Sequence, residues 1–584
     1  MFPSASCHPE SLEQCCAARG CGAALNDAEE NLLTMLLHRT TLFSALFPLP
    51  CLRVLAAIAA AILCASMLPG CAPPVADGGG SPSNAAPTVS APAPGQAGPA
   101  TAGTREAIVI DGDLSQVDWR SHVGQQVAIS GELVVVDTFN LLRWGEVKVA
   151  RERLFIPTEH IDPNDADSSD TTSTGGSNVA EVTAAQKRNT AATLIIDDGF
   201  EDQNTFPPRM FPELGTGLDT VRLGSVVQGV SGEIQTRGNS LVLVPNTPLT
   251  WTLAERPQRP SLGEPAVSVA CFNVLNYFSS IDDGRNDARG ADSEAERERQ
   301  EAKLTAAILA MQADVIGLME LENNLDAEAR LVASLNRTLG ALLGGGHEER
   351  FAACGLPAGF RSAPGGSDAI RVGIIYRSDR VSTVGDVEVI VDEAFREARA
   401  PLVQAFTMAE SEQPFTVVVN HWKSKGGADE ADADNKDRGD GQGAYNATRR
   451  DQAAAICRYV DAVQKREADA RILVIGDFNA YSQEDPLDTL RAGGLVDLRE
   501  RQGGIDPGTT ADYSYVYYGQ CGLLDHAFGT ESMAADVTGI ATWHINADEL
   551  RGFDYNQEYN PEPLYEASPY RSSDHDPVLI GIAK

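Results

Sequence analysis

The chain has 584 residues, 43% of them apolar and 22% charged, which is too long for one ordinary domain and ample for a buried core. Against 82 acidic residues stand 46 basic ones, a formal net charge of −36, which excludes a protein that coats nucleic acid by electrostatics alone. An enzyme that meets phosphate locally stays open, and a solvated, soluble surface accounts for most of the acidity.

Residues 1–71 read as an N-terminal extension and export signal. Cys7, Cys15, Cys16 and Cys21 show no apolar periodicity, and Met35 is an alternative start. Arg53 precedes the apolar run VLAAIAAAILCASML (54–68). That length suits a signal-peptide core and falls short of the roughly 20 residues that span a bilayer. Leu68-Pro69-Gly70-Cys71 resembles a bacterial lipoprotein cleavage box, although Pro69 departs from the usual small residue. The expectation is an exported bacterial protein, extracellular or held on the outer membrane through lipid on Cys71, with ordinary signal cleavage as the alternative.

An Ala/Pro/Gly/Ser tract over 72–104 reads as a flexible tether. Residues 105–256 read as mostly β: QVAISGELVVVD, TLIID, GSVVQGVSGEI and SLVLVP are separated by Gly, Pro, Asn and Asp, with a polar insert at 160–178. An oligonucleotide-binding (OB-like) barrel and a β-sandwich both suit this pattern. RPQRPSLGEP (256–265) has the composition of an interdomain linker. From 266 to 584 strands and helices alternate. The expected strands are VSVACFNVL, DVIGLMEL, AIRVGIIYR, FTVVVNHW, RILVIGDF, SYVYYG and DPVLIGIA. Leu304, Ile308 and Met311 mark one helix, Ile456, Val460 and Val463 another, and a third is expected near 325–340. Strands apolar on both faces imply sheets packed between helices, an α/β class. Cys271 and Cys457 read as core residues, whereas Cys354 and Cys521 are candidates to pair in an oxidising compartment.

Polar clusters stand at the ends of these apolar strands: Asn273, Glu320, Asn420-His421-Trp422-Lys423, Asp477 with Asn479, and Asp574-His575. Carboxylates and amides leaving buried strands cost desolvation energy unless paired or bound to a cation, and several together point to a site. Alternation along a strand puts Asp477 with Asn479, and Glu320 with Glu322, on shared faces. Carboxylate, amide and imidazole recur without a thiolate cluster, which suits Mg²⁺, Mn²⁺ or Ca²⁺. No G-x-x-x-x-G-K-[ST] loop is present, so triphosphate hydrolysis has no support.

The ordered set Asn273, Glu320, His421, GDFN (476–479), Leu524-Asp525-His526 and Ser573-Asp574-His575 resembles the endonuclease/exonuclease/phosphatase superfamily, over residues 266–584. DDGRNDARGAD, MELENN, NHWKSKG, GDGQGAYNATRRDQA and YSYVYYGQCGLLDHA resemble, more narrowly, bacterial extracellular nucleases of the ExeM/NucH type. The resemblance implies a DNase I-like four-layer α/β sandwich behind a small β-rich domain, acting on DNA and by extension RNA. It implies metal ligation by Asn273, Glu320 and Asp574. It also implies that Asp477 orients and deprotonates water, Asn479 fixes the phosphate or base, and His575 donates to a phosphoryl oxygen with Asp525 behind it. His421 would contact phosphate or act as general acid. Relatives often carry cysteines near the acidic insert 428–440, and this chain has none there. That insert reads as a solvated loop more readily than as a Ca²⁺ site.

Substrate contacts are expected from Lys423 and Arg449, with Lys425 and Arg450 beside them. Tyr376 reads equally as a phosphate contact and as a core aromatic, and Asp368 is similarly open. Arg289, Arg299 and Lys303 are candidate contacts to the DNA backbone, but Arg299 and Lys303, one helical turn apart, read first as exposed helix charge, and His526 reads as packed. Two further functions remain as alternatives. One is a phosphoesterase for lipid head groups or small phosphorylated molecules, whose lipid-cleaving relatives show exposed aromatic hairpins; the other is a non-catalytic surface nucleic-acid binder.

Overall fold

The computed structural model describes residues 107–163, 177–215, 220–285, 287–344, 349–408, 413–502, 512–558 and 560–583. The signal-like run, Cys71, the 72–104 tether and residues 164–176 of the polar insert lie outside these. Among the described residues no helix is long and apolar enough to cross a membrane.

Two six-stranded sheets form the centre of the C-terminal region. The first runs Phe351–Ala353, Ile370–Arg377, Val315–Glu322, Val267–Tyr277, Val578–Ile582, Val537–Thr542. The second runs Val381–Val389, Leu402–Met408, Phe415–His421, Ile472–Asp477, Asp525–Gly529, Val496–Asp497. Their facing sides bury Val269, Cys271, Val315, Met319 and Ile374 against Leu402, Phe406, Val417, Val419 and Ile475. Each fully buried aliphatic side chain of this kind contributes about 1.5–3 kcal/mol. Helices Glu294–Met311 and Asp326–Leu342 cover the outer face of the first sheet, and Asn446–Gln464 with Asp485–Ala492 that of the second. Leu304, Ile308 and Met311 are buried as their spacing required. Ser293 caps their helix by accepting from the Glu296 N–H, while the Glu296 carboxylate accepts from the N–H of Asp292, the residue before the cap. The result is the DNase I-like four-layer α/β sandwich.

Strands between Ile108 and Thr252 build a nine-stranded sheet around Val127, Leu133, Val147, Ile196 and Ile234. Helix Val179–Ala191 within this region had no counterpart in the β reading. Its apolar side chains are mostly alanine, so its stripe is weak. Leu550, Phe553 and Leu564 complete this sheet's core, so the β region is docked on the catalytic sheets and is no free spacer. Its strand Leu154–Phe155 pairs in parallel with Gln520–Gly522. Arg222 pairs with Glu549, Arg153 with Asp548 at 2.7 Å, and Arg256 with Glu549 at 2.9 Å. Removing one partner of such a buried pair is costly, because it strands the other charge. The 256–265 segment is an ordered strap: Leu262 is buried, and Arg259 donates to the Met311 carbonyl.

The Cys354–Cys521 pairing does not occur. All four described cysteines are free, with Cys354 packed beside the sandwich core and Cys521 in the hairpin next to Arg153.

Candidate active site

The site forms where strands of both sheets break their regular geometry. Strand Val267–Tyr277 bulges after Asn273, with Leu275 and Asn276 at φ 53° and 48°, and strand Val315–Glu322 shifts register around Glu320 at φ 66°. Left-handed backbone at non-glycine residues costs energy and clusters where structure serves a site. The bulge also defeats simple alternation. Glu320 faces the cleft, while Glu322 accepts from the Ser279 and Ser280 N–H groups and holds their loop. In the second sheet, Gly476 at φ 151° pairs with Asn420 so closely that a Cβ would lie 2.1 Å from the Asn420 carbonyl oxygen. Only glycine allows so close an approach just before Asp477, which ends the strand paired with His421 and Asp525. Asn479 lies beyond the strand end at φ 51° and donates to the Trp422 carbonyl.

Asn273 joins the two sheets. Its side-chain amide donates to Glu320 at 3.2 Å and to Asp477 at 3.3 Å, and the Ser573 hydroxyl donates to its backbone carbonyl at 2.7 Å. The other Asp477 oxygen accepts from the Asn479 N–H at 2.9 Å. His421 Nε2 lies 3.5 Å and His575 Nε2 4.0 Å from Asp477. His575 Nδ1 is 2.7 Å from Asp525, which also accepts the Ser514 hydroxyl. Tyr515 packs on the His575 ring at 4.6 Å. Asp574 stands at the mouth, in a cleft of about 390 Å³ with Asn276, Tyr515, Arg571 and Arg289.

Burial sets the charges. It raises the Asp477 carboxyl to about 7, against the opposing pull of His575. Burial and the neighbouring Asp574 raise Glu320. For His575 burial acts downward, but Asp525, Asp477 and Asp574 outweigh it and hold the imidazole well above its ordinary value. His421 is pushed well below its ordinary value by burial, Arg399 and His575. It is a neutral ring, and its Nδ1 is buried without a partner. A neutral imidazole suits a hydrogen-bonding role better than that of a general acid.

Glu320 and Asp574 are neighbouring carboxylates, the second raising the cost of ionising the first, and as hard oxygen donors they fit a divalent cation. Asn273 does not fit as a ligand in this orientation. Its oxygen accepts the Leu275 N–H and its NH₂ faces the carboxylates, so it bridges them.

Several expected substrate contacts lie elsewhere. Tyr376 pairs with Val315, five residues before Glu320, and packs on Phe406. At about 3.3 Å per residue it sits near the far end of the sheet, roughly 16 Å away. Arg449 is fully buried and donates to the carbonyls of Lys423, Ala444 and Gln442, so it braces a loop instead of meeting phosphate. Lys423 lies over the Tyr445 ring at 3.7 Å, Lys425 pairs with Glu484 at 2.5 Å, and Arg450 is 3.9 Å from Asp485. Lys303 is buried and donates to the Glu566 and Tyr570 carbonyls, and Arg299 lies over Tyr565 and pairs with Glu562. His526 donates its Nε2–H to the Ala480 carbonyl within a stack on Phe478. Asp368 sits 4.0 Å from Arg399. Arg399 is the functional candidate missed in the sequence: it donates to the Trp422 carbonyl and its charge bears on His421. It stands in a loop without a motif. Ser514 and Tyr515 lie within YSYVYYGQCGLLDHA, where residue type alone does not distinguish them from packed neighbours.

Residues 270–575, just over half of the chain, match the Endonuclease/Exonuclease/phosphatase family. No curated protein matches the chain. Among solved structures, the human Nocturnin catalytic domain is 16% identical, covering 55% of this chain and 95% of its own, with a TM-score of 0.34. A Bacteroides thetaiotaomicron mannosyl-6-phosphatase is 14% identical over 55% of this chain and 100% of its own (TM-score 0.33). D. rerio TDP2 complexed with single strand DNA product is 14% identical over 55% and 99% (TM-score 0.32).

Proposed function

Because the chain belongs to the endonuclease/exonuclease/phosphatase family, we propose that it is an exported, metal-dependent nuclease that hydrolyses phosphodiester bonds of DNA, and of RNA where the cleft admits it. The observation that carries this reading is Asn273 bound to both Glu320 and Asp477, with His575 over the same carboxylate. Groups remote in the chain thus share one cleft. Asp477, half-protonated near neutrality, orients water and takes its proton. His575, held and charged by Asp525, donates to a phosphoryl oxygen, and His421 and Asn479 complete the donors around it. Glu320 and Asp574 would hold Mg²⁺, Mn²⁺ or Ca²⁺, which when bound supplies charge neutralisation at the phosphate and the leaving oxygen.

Export rests on the 54–68 apolar run and the Leu68–Cys71 box, with lipid on Cys71 as the only membrane attachment proposed. The likeness to ExeM/NucH-type nucleases is part of the same proposal. Supercoiled plasmid incubated with the full chain, with and without EDTA and beside Asp477→Ala, tests it. Metal-dependent nicking lost in the variant is expected. Hydrolysis confined to phospholipid head groups or small phosphomonoesters would overturn it.

A further inference from the structure

The hairpin formed by Tyr515–Tyr517 and Gln520–Gly522 starts beside His575 and ends on the β domain. Its two-residue turn, Tyr518 at φ 48° and Gly519 at φ 82°, is of the type whose twist matches a hairpin. A Cβ on Gly519 would lie 3.2 Å from both the Asp137 Cβ and the Val136 carbonyl oxygen, so the tip is seated on the strand that leads to Phe139. Three large aromatics are left open here: Phe139 is 69% exposed, Tyr517 52% and Tyr518 74%. They are three of the four exposed large rings among the described residues, and the fourth, Phe200, lies under the Arg209 guanidinium; such a cluster at one place calls for a ligand.

Two clefts meet at this strip. One of about 390 Å³ holds Asp574 of the candidate active site, and one of about 550 Å³ runs onto the β domain. They share Phe139, Tyr515, Val516, Ala547, Arg551 and Arg571, so the path from the chemistry to the open rings is continuous. Tyr515 and Tyr517, two apart on one strand, face the same way. The charge along the path is mixed. Arg551 reaches over Phe139 and Arg571 lines both clefts, while Asp137, Glu146 and Glu549 line the outer one together with Lys148, which pairs with Asp137 at 2.6 Å. A duplex would bring a dense double row of phosphates against those carboxylates. Unpaired bases bring uncharged faces that stack on aromatic rings.

Resting on the phosphodiester reading above, we propose that Tyr515, Tyr517, Tyr518 and Phe139 form a stacking track for unpaired bases, so that the preferred substrate class is single-stranded or frayed nucleic acid spanning both domains. The β domain's role is then to carry the far end of the track.

The test uses the full chain in EDTA, where binding is read without turnover. The probe is a 12-nucleotide single strand containing 2-aminopurine, compared with the same sequence as a blunt duplex and with anionic phospholipid vesicles. Tight binding with fluorescence quenching is expected for the single strand, at least about tenfold tighter than for the duplex. Phe139→Ala/Tyr517→Ala/Tyr518→Ala should weaken it about tenfold or more, at an unchanged melting temperature, and the corresponding Trp triple variant should restore it. Equal affinity of wild type and the Ala variant, a preference for duplex, or aromatic-dependent binding of vesicles in place of the oligonucleotide would overturn the proposal. A protein that shows the expected binding but nicks nothing with added metal refutes the hydrolytic reading instead.

Discussion

His575 and Asp525 are joined by a 2.7 Å contact between Nδ1 and a carboxylate oxygen, although they are 50 residues apart in the chain. Asp525 is buried and is fixed in turn by the Ser514 hydroxyl. The pair fixes the tautomer and orientation of the ring, leaving Nε2 directed toward Asp477. Asp525→Asn preserves shape and removes the charge. Turnover of plasmid DNA should fall about 100-fold or more, by analogy with other histidines deprived of their carboxylate, while the circular dichroism spectrum is unchanged. Turnover within threefold of wild type would show that the pair is only structural.

Glu320 is destabilised as a carboxylate by burial and by Asp574. A bound cation reverses that penalty, so binding and stability are linked. In titration calorimetry with Mn²⁺, Glu320→Gln should bind at least about tenfold more weakly than wild type. In EDTA the variant should melt no lower than wild type, and its melting temperature should no longer rise with Mn²⁺. Mn²⁺ binding unaffected by the change would move the metal to other ligands.

Arg449 and Arg399 both lie near the cleft but differ in what they hold. Arg449→Ala leaves the Lys423, Ala444 and Gln442 carbonyls without their donor, a loss of roughly 3 kcal/mol, to be read in urea unfolding. Arg399→Ala should lower kcat/KM instead, because its charge bears on His421. If Arg399→Ala alters only the unfolding midpoint, it too is a brace.

Glu159 links the domains by accepting the Leu523 N–H and the Ser482 hydroxyl, and burial raises its carboxyl to about 7. The folded state therefore binds a proton that the unfolded chain releases near pH 4.5. Between those values the folded form holds more protons, so this group's contribution falls as pH rises from about 4.5 to 7 and then levels off. The swing is roughly 3 kcal/mol at most. Glu159→Gln should remove it: the difference in melting temperature between variant and wild type should grow in the variant's favour from pH 5 to pH 8. A constant difference would mean that Glu159 stays ionised throughout.

The sandwich was legible because buried strands such as Ile472–Asp477 are continuous apolar runs, and because the polar groups ending them have no structural reason to recur. Strands Val381–Val389 and Leu402–Met408 were not read, since the first is largely exposed and the second carries Gln404 and Thr407 among its apolar residues. Roles assigned from residue type failed where long cations turned inward. Arg449 looks like a phosphate contact in sequence and Lys303 like exposed helix charge, yet each is buried and satisfies backbone carbonyls that no pattern of side chains reveals. Alternation failed at Glu320 and Glu322 because a bulge between them is a backbone event. Arg399 was invisible because its loop has neither periodicity nor motif.

A double-mutant cycle on plasmid nicking at saturating Mg²⁺, with Asp477→Ala, His575→Ala and both together, tests most directly whether these groups act as one hydrolytic centre. Residues that work as a unit are strongly non-additive, so each single change should abolish nearly all activity and the double variant should be little worse than either. Independent, multiplicative losses, or substantial nicking by Asp477→Ala, would contradict a shared centre.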